Sequence, residues 1–358
     1  MVYRAIGLMS GSSLDGLDIV FAELHENGGK WSYEILEADC YPYSPDWVAR
    51  LTGATTLNAL DYQLLHIEYG HYIGGQVNRF IEAHQLQYRV GLIASHGHTT
   101  FHLPSKRMTA QLGDGASIAG ETQLPVVSDL RSMDMALDGQ GAPIVPIGEK
   151  LLLEGYDLFL NLGGIANISF KGDPYTAFDI CACNRVLNML ANEKGKEYDD
   201  AGKMAATGTT DKALLAKLDA LDYYTLPFPK SLANEFGTQT VFPLIKSAGC
   251  SPEDGLHTCC EHVVTQIKNA ILKKDETATG RKLLVTGGGA FNTFLLQLIS
   301  KALEDLSIEV IVPDSKLVNY KEALIMSLIG VLRWREEVNV LSSVTGARED
   351  SVGGAMWI

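Results

Sequence analysis

Adjacent glycines at 163 and 164, set between two apolar runs, constrain this chain more than any other feature. Residues 157–184 read DLFLNLGGIANISFKGDPYTAFDICACN. The pattern predicts a buried strand over 158–162, a tight turn on the glycines and a returning strand over 165–170. A polar loop and a short strand that stops at Asp179 follow. Glycines without Cβ atoms let the backbone turn sharply and leave its N–H groups open to an anion. A lone acid at the end of an apolar strand stands where α/β proteins place their chemistry, at the carboxyl edge of a sheet. Turn and acid together read as a phosphate cradle beside a general base.

The same design occurs at the start. Residues 3–8 are apolar, Ser10-Gly11-Ser12-Ser13 is a small polar turn, residues 19–24 return as a second strand, and Asp15 and Asp18 lie between. A third glycine turn, Thr286-Gly287-Gly288-Gly289-Ala290, ends a strand over 282–286 and precedes a helix over 291–303. Any one of these taken alone reads as an ordinary loop. Together they predict an α/β chain of two related domains facing one another across a cleft.

Length fits two domains: 358 residues, 46% of them hydrophobic and 20% charged. The glycine-rich connector 138–143 (DGQGAP) is the candidate boundary. It gives one domain of residues 1–138 plus 320–358 and a second of 139–319. The formal charge of -14 argues against nucleic acid and against an anionic membrane surface. No apolar run approaches the ~20 residues that span a bilayer. The opening MVYRAIGLMS enters a strand directly, without leader-peptide architecture, so a cytoplasmic protein is expected. The six cysteines lack C-x-x-C spacing and read as reduced thiols. His96, His98 and His102 have a spacing that would align them on one strand face. Gly97 interrupts that run, so a loop is expected there and no metal is assigned.

Between these landmarks, helical periodicity predicts a helix over 58–84, with Leu60, Leu64, Ile67, Val77 and Ile81 near the 3.6-residue repeat. Gly70, Gly74 and Gly75 within it point to close packing against a neighbour. A strand over 90–95 delivers His96 and Thr99 to its tip, and one over 125–128 delivers Arg131. Helices are expected over 144–153, 184–192 and 252–274, with a last one over 320–334 that opens on Lys321-Glu322. There is no P-loop and no protein-kinase signature, and the Gly-Gly-Gly-Ala turn lacks the spacing of a dinucleotide fingerprint. Two glycine hairpins and a late strand–glycine–helix fit the actin-like ATPase plan.

At this point the motifs become specific. GLMSGSSLDGLD (7–18), ASHGHT (94–99), SDLRSMDMALDGQGAPIVP (128–146), NLGGIANIS (161–169), FD…N (178–184) and TGGGAFN (286–292) together resemble the anhydro-N-acetylmuramic acid kinase family, sugar kinases of the actin-like (ribonuclease H-like) superfamily. The resemblance implies that water opens the 1,6-anhydro bridge at C1 while O6 takes the γ-phosphoryl of ATP. It implies Asp179 as the general base. The ATP-binding turn would be Gly11, Ser12, Ser13, Leu14, Asp15, Gly16, Leu17 and Asp18, with Asp15 or Asp18 an outer-shell partner of Mg²⁺. The resemblance also implies Gly163, Gly164, Gly287, Gly288 and Gly289 against the nucleotide, and His96, Thr99, Arg131 and Glu322 on the amino-sugar side. Self-association as a homodimer stays open. So do the plain readings: Asp179 as a helix cap, Arg131 as an interdomain salt bridge, Glu322 as a helix-start acid.

The chain departs from the family pattern in three loops. The family's F-D-x-G-P-G-N is Phe178-Asp179-Ile180-Cys181-Ala182-Cys183-Asn184, and its K-S-T-G-R-E is Lys230-Ser231-Leu232-Ala233-Asn234-Glu235. His98 stands where glutamine is usual. Side chains in place of bare glycine backbone put close approach of a ligand in question. A non-catalytic actin-like binding protein therefore remains the alternative.

Overall fold

The computed structural model describes residues 1–11, 13–227, 230–233, 235–274 and 279–358; Ser12 and Asn234, both singled out above, lie outside these. Its strands in chain order are β1 (Val2–Ser10), β2 (Gly16–Asn27), β3 (Lys30–Pro42), β4 (Leu92–Leu103), β5 (Met108–Leu112), β6 (Val126–Ser128), β7 (Leu158–Leu162), β8 (Ile165–Phe170), β9 (Thr176–Ala182), β10 (Lys282–Thr286), β11 (Glu309–Ile311) and β12 (Ala355–Trp357). They fall into two compact units, Met1–Glu154 with Tyr320–Ile358, and Gly155–Asn319.

The first unit holds a sheet in the order β12-β6-β4-β1-β2-β3, with β5 beside the end of β4. β1, β2 and β3 form an antiparallel meander, while β4 and β6 run parallel to β1. The second unit repeats this order as β11-β10-β7-β8-β9: an antiparallel meander from β7 to β9, with β10 and β11 parallel to β7. One plan is therefore used twice, and each copy turns back at its first hairpin through a glycine-bearing loop.

Helices cover these sheets because the strands are apolar on both faces. Helix Ser315–Trp334 lies directly on the first sheet. A Cβ at Gly7 of β1 would collide with the carbonyl of Ala323, and Gly330 sits against Ala94 of β4. Helix Ala59–Ala83 closes the other face with Leu65, Tyr69, Ile73, Val77 and Phe80, which join Ile6, Leu8, Ile19, Phe21 and Ile93 in one core. Full burial of such side chains is worth about 1.5–3 kcal/mol each. The expected face of that helix was half wrong: Leu60, Leu64 and Ile67 are 68%, 48% and 43% exposed. Two apolar stripes compete on it, and the one carrying the large rings of Tyr69 and Phe80 is buried. Gly70 and Gly74 do meet a neighbour, helix Gly115–Thr122 and its cap Asp114, whereas Gly75 faces open space. In the second unit, helix Pro252–Lys274 buries Leu256, Cys259, Val263, Ile267 and Ile271 in a core shared with Leu158, Leu160 and Leu162.

Residues 139–154, given above to the second domain, pack with the first. Buried Asp134 accepts hydrogen bonds from the Gly141 N–H (2.7 Å) and the Thr345 hydroxyl (2.6 Å), and the Gln140 N–H donates to the Thr345 carbonyl (2.9 Å). Helix Pro146–Leu152 carries Glu149, which pairs at 2.8 Å with Lys321, both side chains being buried. Glycines read as a domain boundary are there because Asp134 leaves no room for a Cβ at Gly139 and Met135 crowds Gly141, whose φ is +67°. Among the described residues no helix is long and apolar enough to cross a membrane.

Candidate active site

In the second unit, the turn between β7 and β8 is held by the chain that follows β9. The Asn184 N–H donates to the Gly163 carbonyl (3.0 Å), the Cys183 N–H to the Gly164 carbonyl (2.9 Å), and the Asn184 amide to the Leu162 carbonyl (2.7 Å). Asn184 also touches the late glycine turn, where a Cβ on Gly289 would come within 3.0 Å of its Oδ1. Gly287 has φ +79° and would bring a Cβ to 2.5 Å from Asn161 Oδ1. Two asparagines thus fasten both glycine turns into one surface. Their side chains belong to motifs quoted above, but nothing in the spacing revealed that joint.

Asp179 lies inside β9, three residues before its end, rather than at its tip. The pairing with β8 shifts there, Ala166 opposing Cys181 and Asn167 opposing Asp179, so Ile180 is an extra residue in a bulge. β9 is the edge of its sheet, and bulges at edges re-aim side chains. The loop at 230–232 completes the setting. The Asp179 N–H donates to the Lys230 carbonyl (3.1 Å), the Leu232 N–H donates to Asp179 Oδ2 (2.8 Å), and the Tyr223 hydroxyl donates to the Asp179 carbonyl (2.7 Å). Burial raises the Asp179 carboxyl to about 6, with the Leu232 N–H pulling the other way. Such a group is ionised at neutral pH yet basic enough to take a proton. The helix-cap reading fails, because helix Asn184–Asn192 starts after Cys183 without a side-chain cap.

Where the family has glycines, the side chains at 181–183 turn inward. Cys181, Ala182 and Cys183 are all buried, their side chains joining the core of the second unit. In the 230–235 loop, the contact to Asp179 comes from a backbone N–H, which any residue but proline supplies.

In the first unit, the turn after β1 is closed by a Leu14 N–H to Gly11 carbonyl bond (3.4 Å). Exposed Asp15 accepts from the Ser13 hydroxyl (2.7 Å) and the Gly16 N–H (3.1 Å). A Cβ at Gly16 would strike Cys40 and the Tyr41 carbonyl, so glycine is needed for β3 to pass. Leu17 is in the core, and Asp18 lies within β2 opposite Cys40 of β3. Burial, opposed by a Cys40 thiol hydrogen bond and helped by the charges of Asp15 and Glu322, lifts the Asp18 carboxyl to about 7.

β4 runs on through 96–103, so the three histidines lie in a strand and not a loop. Gly97 adopts φ +72° at an irregularity in the pairing with β1, which breaks the common face. His98 Nδ1 meets the Ser10 hydroxyl at 3.0 Å, and that oxygen accepts from Tyr43 (2.8 Å). His96 Nδ1 donates to the Gly97 carbonyl (2.9 Å), which fixes the tautomer, and Nε2 accepts from Arg131 Nε (2.9 Å). Burial and the Arg131 charge push His96 down to about 3, so it is neutral. With both nitrogens engaged, His96 orients Arg131 rather than offering a free nitrogen to a sugar. Arg131 also donates from Nη1 to the Gly141 carbonyl (2.6 Å), all within one unit, so it is no interdomain salt bridge. Burial lowers Arg131 to about 10, with Glu322 and Asp134 as counter-charges. Glu322 is the eighth residue of helix Ser315–Trp334 and not a helix-start acid; burial raises its carboxyl, while Lys321 and Arg131 lower it. Thr99 stands apart, exposed and accepting from Gln111 of β5 at 3.3 Å.

Two units on one strand order, each bearing a glycine turn at its first hairpin, define an actin-like α/β protein. The family follows from sequence. The family model for anhydro-N-acetylmuramic acid kinase matches residues 3–358, and the chain belongs to that family. It is 34% identical over 322 residues to an anhydro-N-acetylmuramic acid kinase of Aliivibrio fischeri, covering 85% of each chain. It is 31% identical over 381 residues to one of Haemophilus influenzae, covering 98% of this chain and 97% of the other. Among solved structures, component A of (R)-2-hydroxyglutaryl-CoA dehydratase from Acidaminococcus fermentans is similar at 15% identity and TM-score 0.46, over 92% and 97% of the two chains.

Proposed function

We propose that this protein is an ATP-dependent kinase of anhydro-N-acetylmuramic acid, which opens the 1,6-anhydro ring and phosphorylates O6 to give N-acetylmuramic acid 6-phosphate in peptidoglycan recycling. The observation that carries the reading is Asp179, a half-buried carboxylate with one oxygen held by the Leu232 N–H and its basicity raised by burial. In this mechanism Asp179 takes a proton from water as the water oxygen bonds to C1. The C1–O6 bond breaks, and O6 accepts the γ-phosphoryl as ADP departs. A positioned base contributes about 10²–10⁴-fold.

The rest of the reaction asks for alignment and charge neutralisation. Arg131, fixed by His96 and Gly141, is assigned the lactyl carboxylate, with Glu322 and Thr99 also given to the sugar. ATP fits the two glycine turns of the second unit: Thr286 Oγ1 is a buried polar atom without a partner there, and a Cβ on Gly164 would find nothing closer than 3.7 Å. The family resemblance also gives the turn 11–18 to nucleotide binding, although Ser12 is outside the described residues. Mg²⁺ supplies charge neutralisation at the phosphates when bound. Asp15 or Asp18 is its outer-shell partner in this reading; among the described residues no group of three His, Cys, Asp or Glu side chains is placed to hold the ion directly. Six free cysteines support a cytoplasmic setting. Exposed Leu60, Leu64 and Ile67 on one helix support a homodimer, which sedimentation would measure.

The test is ADP release with and without anhydro-N-acetylmuramic acid, in wild type and Asp179→Asn. Sugar-dependent release lost in the variant is expected. Release indifferent to the sugar would favour the non-catalytic alternative, and equal rates would remove Asp179 from the mechanism.

A further inference from the structure

Arg185 follows the asparagine that joins the two glycine turns, and it sits in the first turn of helix Asn184–Asn192. A cation at that end opposes the helix dipole, and no acid shares the turn to compensate. Its Nε is buried without an acceptor, an arrangement that native proteins rarely keep without a use. Other half-buried arginines show the contrast: Arg131 bonds His96 and Gly141, and Arg335 bonds Glu337 and Tyr3. The Arg185 side chain lies against the turn itself. A Cβ built on Gly164 would be 3.7 Å from Arg185 Cβ and 3.8 Å from Nε. At the head of the adjoining turn, buried Thr286 Oγ1 also lacks a partner. A planar guanidinium beside open glycine backbone, with an unused donor and no ion pair among the described residues, matches a phosphate group.

We propose that Arg185 binds the phosphate oxygens of a nucleoside triphosphate at the turn 163–164 and carries part of their charge during transfer. This rests on the kinase reading above for its reaction, but its binding claim stands separately. Equilibrium titration of the full chain with ATP and with ADP tests it, using wild type, Arg185→Met and Arg185→Lys, with thermal unfolding of each without nucleotide. The expected result is ATP binding weakened about 10–100-fold in Arg185→Met and partly restored in Arg185→Lys. Unfolding temperature should be unchanged or higher, since an unpaired buried donor has been removed. Equal ATP affinity in wild type and Arg185→Met would overturn the proposal while leaving the kinase reading intact. So would weakened binding that tracks a lowered unfolding temperature in both variants, which marks a structural role. Arginine-dependent ATP binding in a wild type whose ADP release ignores the sugar would uphold the proposal and defeat the kinase reading alone.

Discussion

The two units repeat one strand order, yet their first hairpins carry opposite chemistry. In the second unit the turn 163–164 is tied down by backbone and asparagine hydrogen bonds, and its nearest ionisable neighbour is Arg185. In the first unit the corresponding turn is lightly closed and acidic, with Asp15 exposed and Asp18 raised by burial and by like charges. The difference teaches that the topology fixes where a ligand can be held, while local side chains decide its sign. One turn is backed by a cation and the other by carboxylates.

Five experiments bear on that division, the most severe first. Asp179→Asn should slow sugar-dependent ADP release about 10²–10⁴-fold, equivalent to about 2.7–5.5 kcal/mol of barrier. The wild-type rate should fall as pH drops through about 6, where the base is protonated; a pH–rate profile flat from 5 to 8 would place the base elsewhere. Gly287→Ala meets both positive φ and Asn161, so chemical denaturation should show a loss of about 2–4 kcal/mol. If it folds as well as wild type, the joint between the two turns of the second unit is looser than described. Asp18→Asn tests the acidic turn. Its folded carboxyl stands near 7 against an ordinary 3.8, so its contribution to stability is full below about 4 and lost as pH rises through 7. The variant should exceed wild type by about 1–2 kcal/mol at pH 8 and match it at pH 4. An equal difference at both pH values would show that charge is not the cause. Gly164→Ala has space for its methyl and should change stability by less than about 0.5 kcal/mol. It should still weaken ATP binding about tenfold, the factor that 1.4 kcal/mol represents.

Much of this was readable from residue order. The boundaries of β7, β8, β10 and helix Pro252–Lys274 coincide with those drawn from apolar runs and glycines, because turn residues punctuate them sharply. Asp179 and Arg131 were singled out through quoted motifs, and Glu322 through the family resemblance. Their partners were not, since Leu232, Tyr223 and His96 are distant in sequence and act through backbone groups or a tautomer. The bulge at Ile180 was hidden because Ile-Cys-Ala reads as uninterrupted strand. The connector at 138–143 misled for a similar reason: glycines required by a buried aspartate look like glycines of a linker between domains. Arg185 carried no signal in a helical pattern, where an arginine is expected on the solvent face.

The first unit is discontinuous in the chain, with its closing helix and β12 coming only after all of 155–319. During synthesis the inserted unit is therefore complete while the first still lacks the helix that packs on Gly7 and Ala94. A ribosome releasing this chain meets an inverted order, in which the half begun earlier is sealed later and its bare sheet face waits longest for cover.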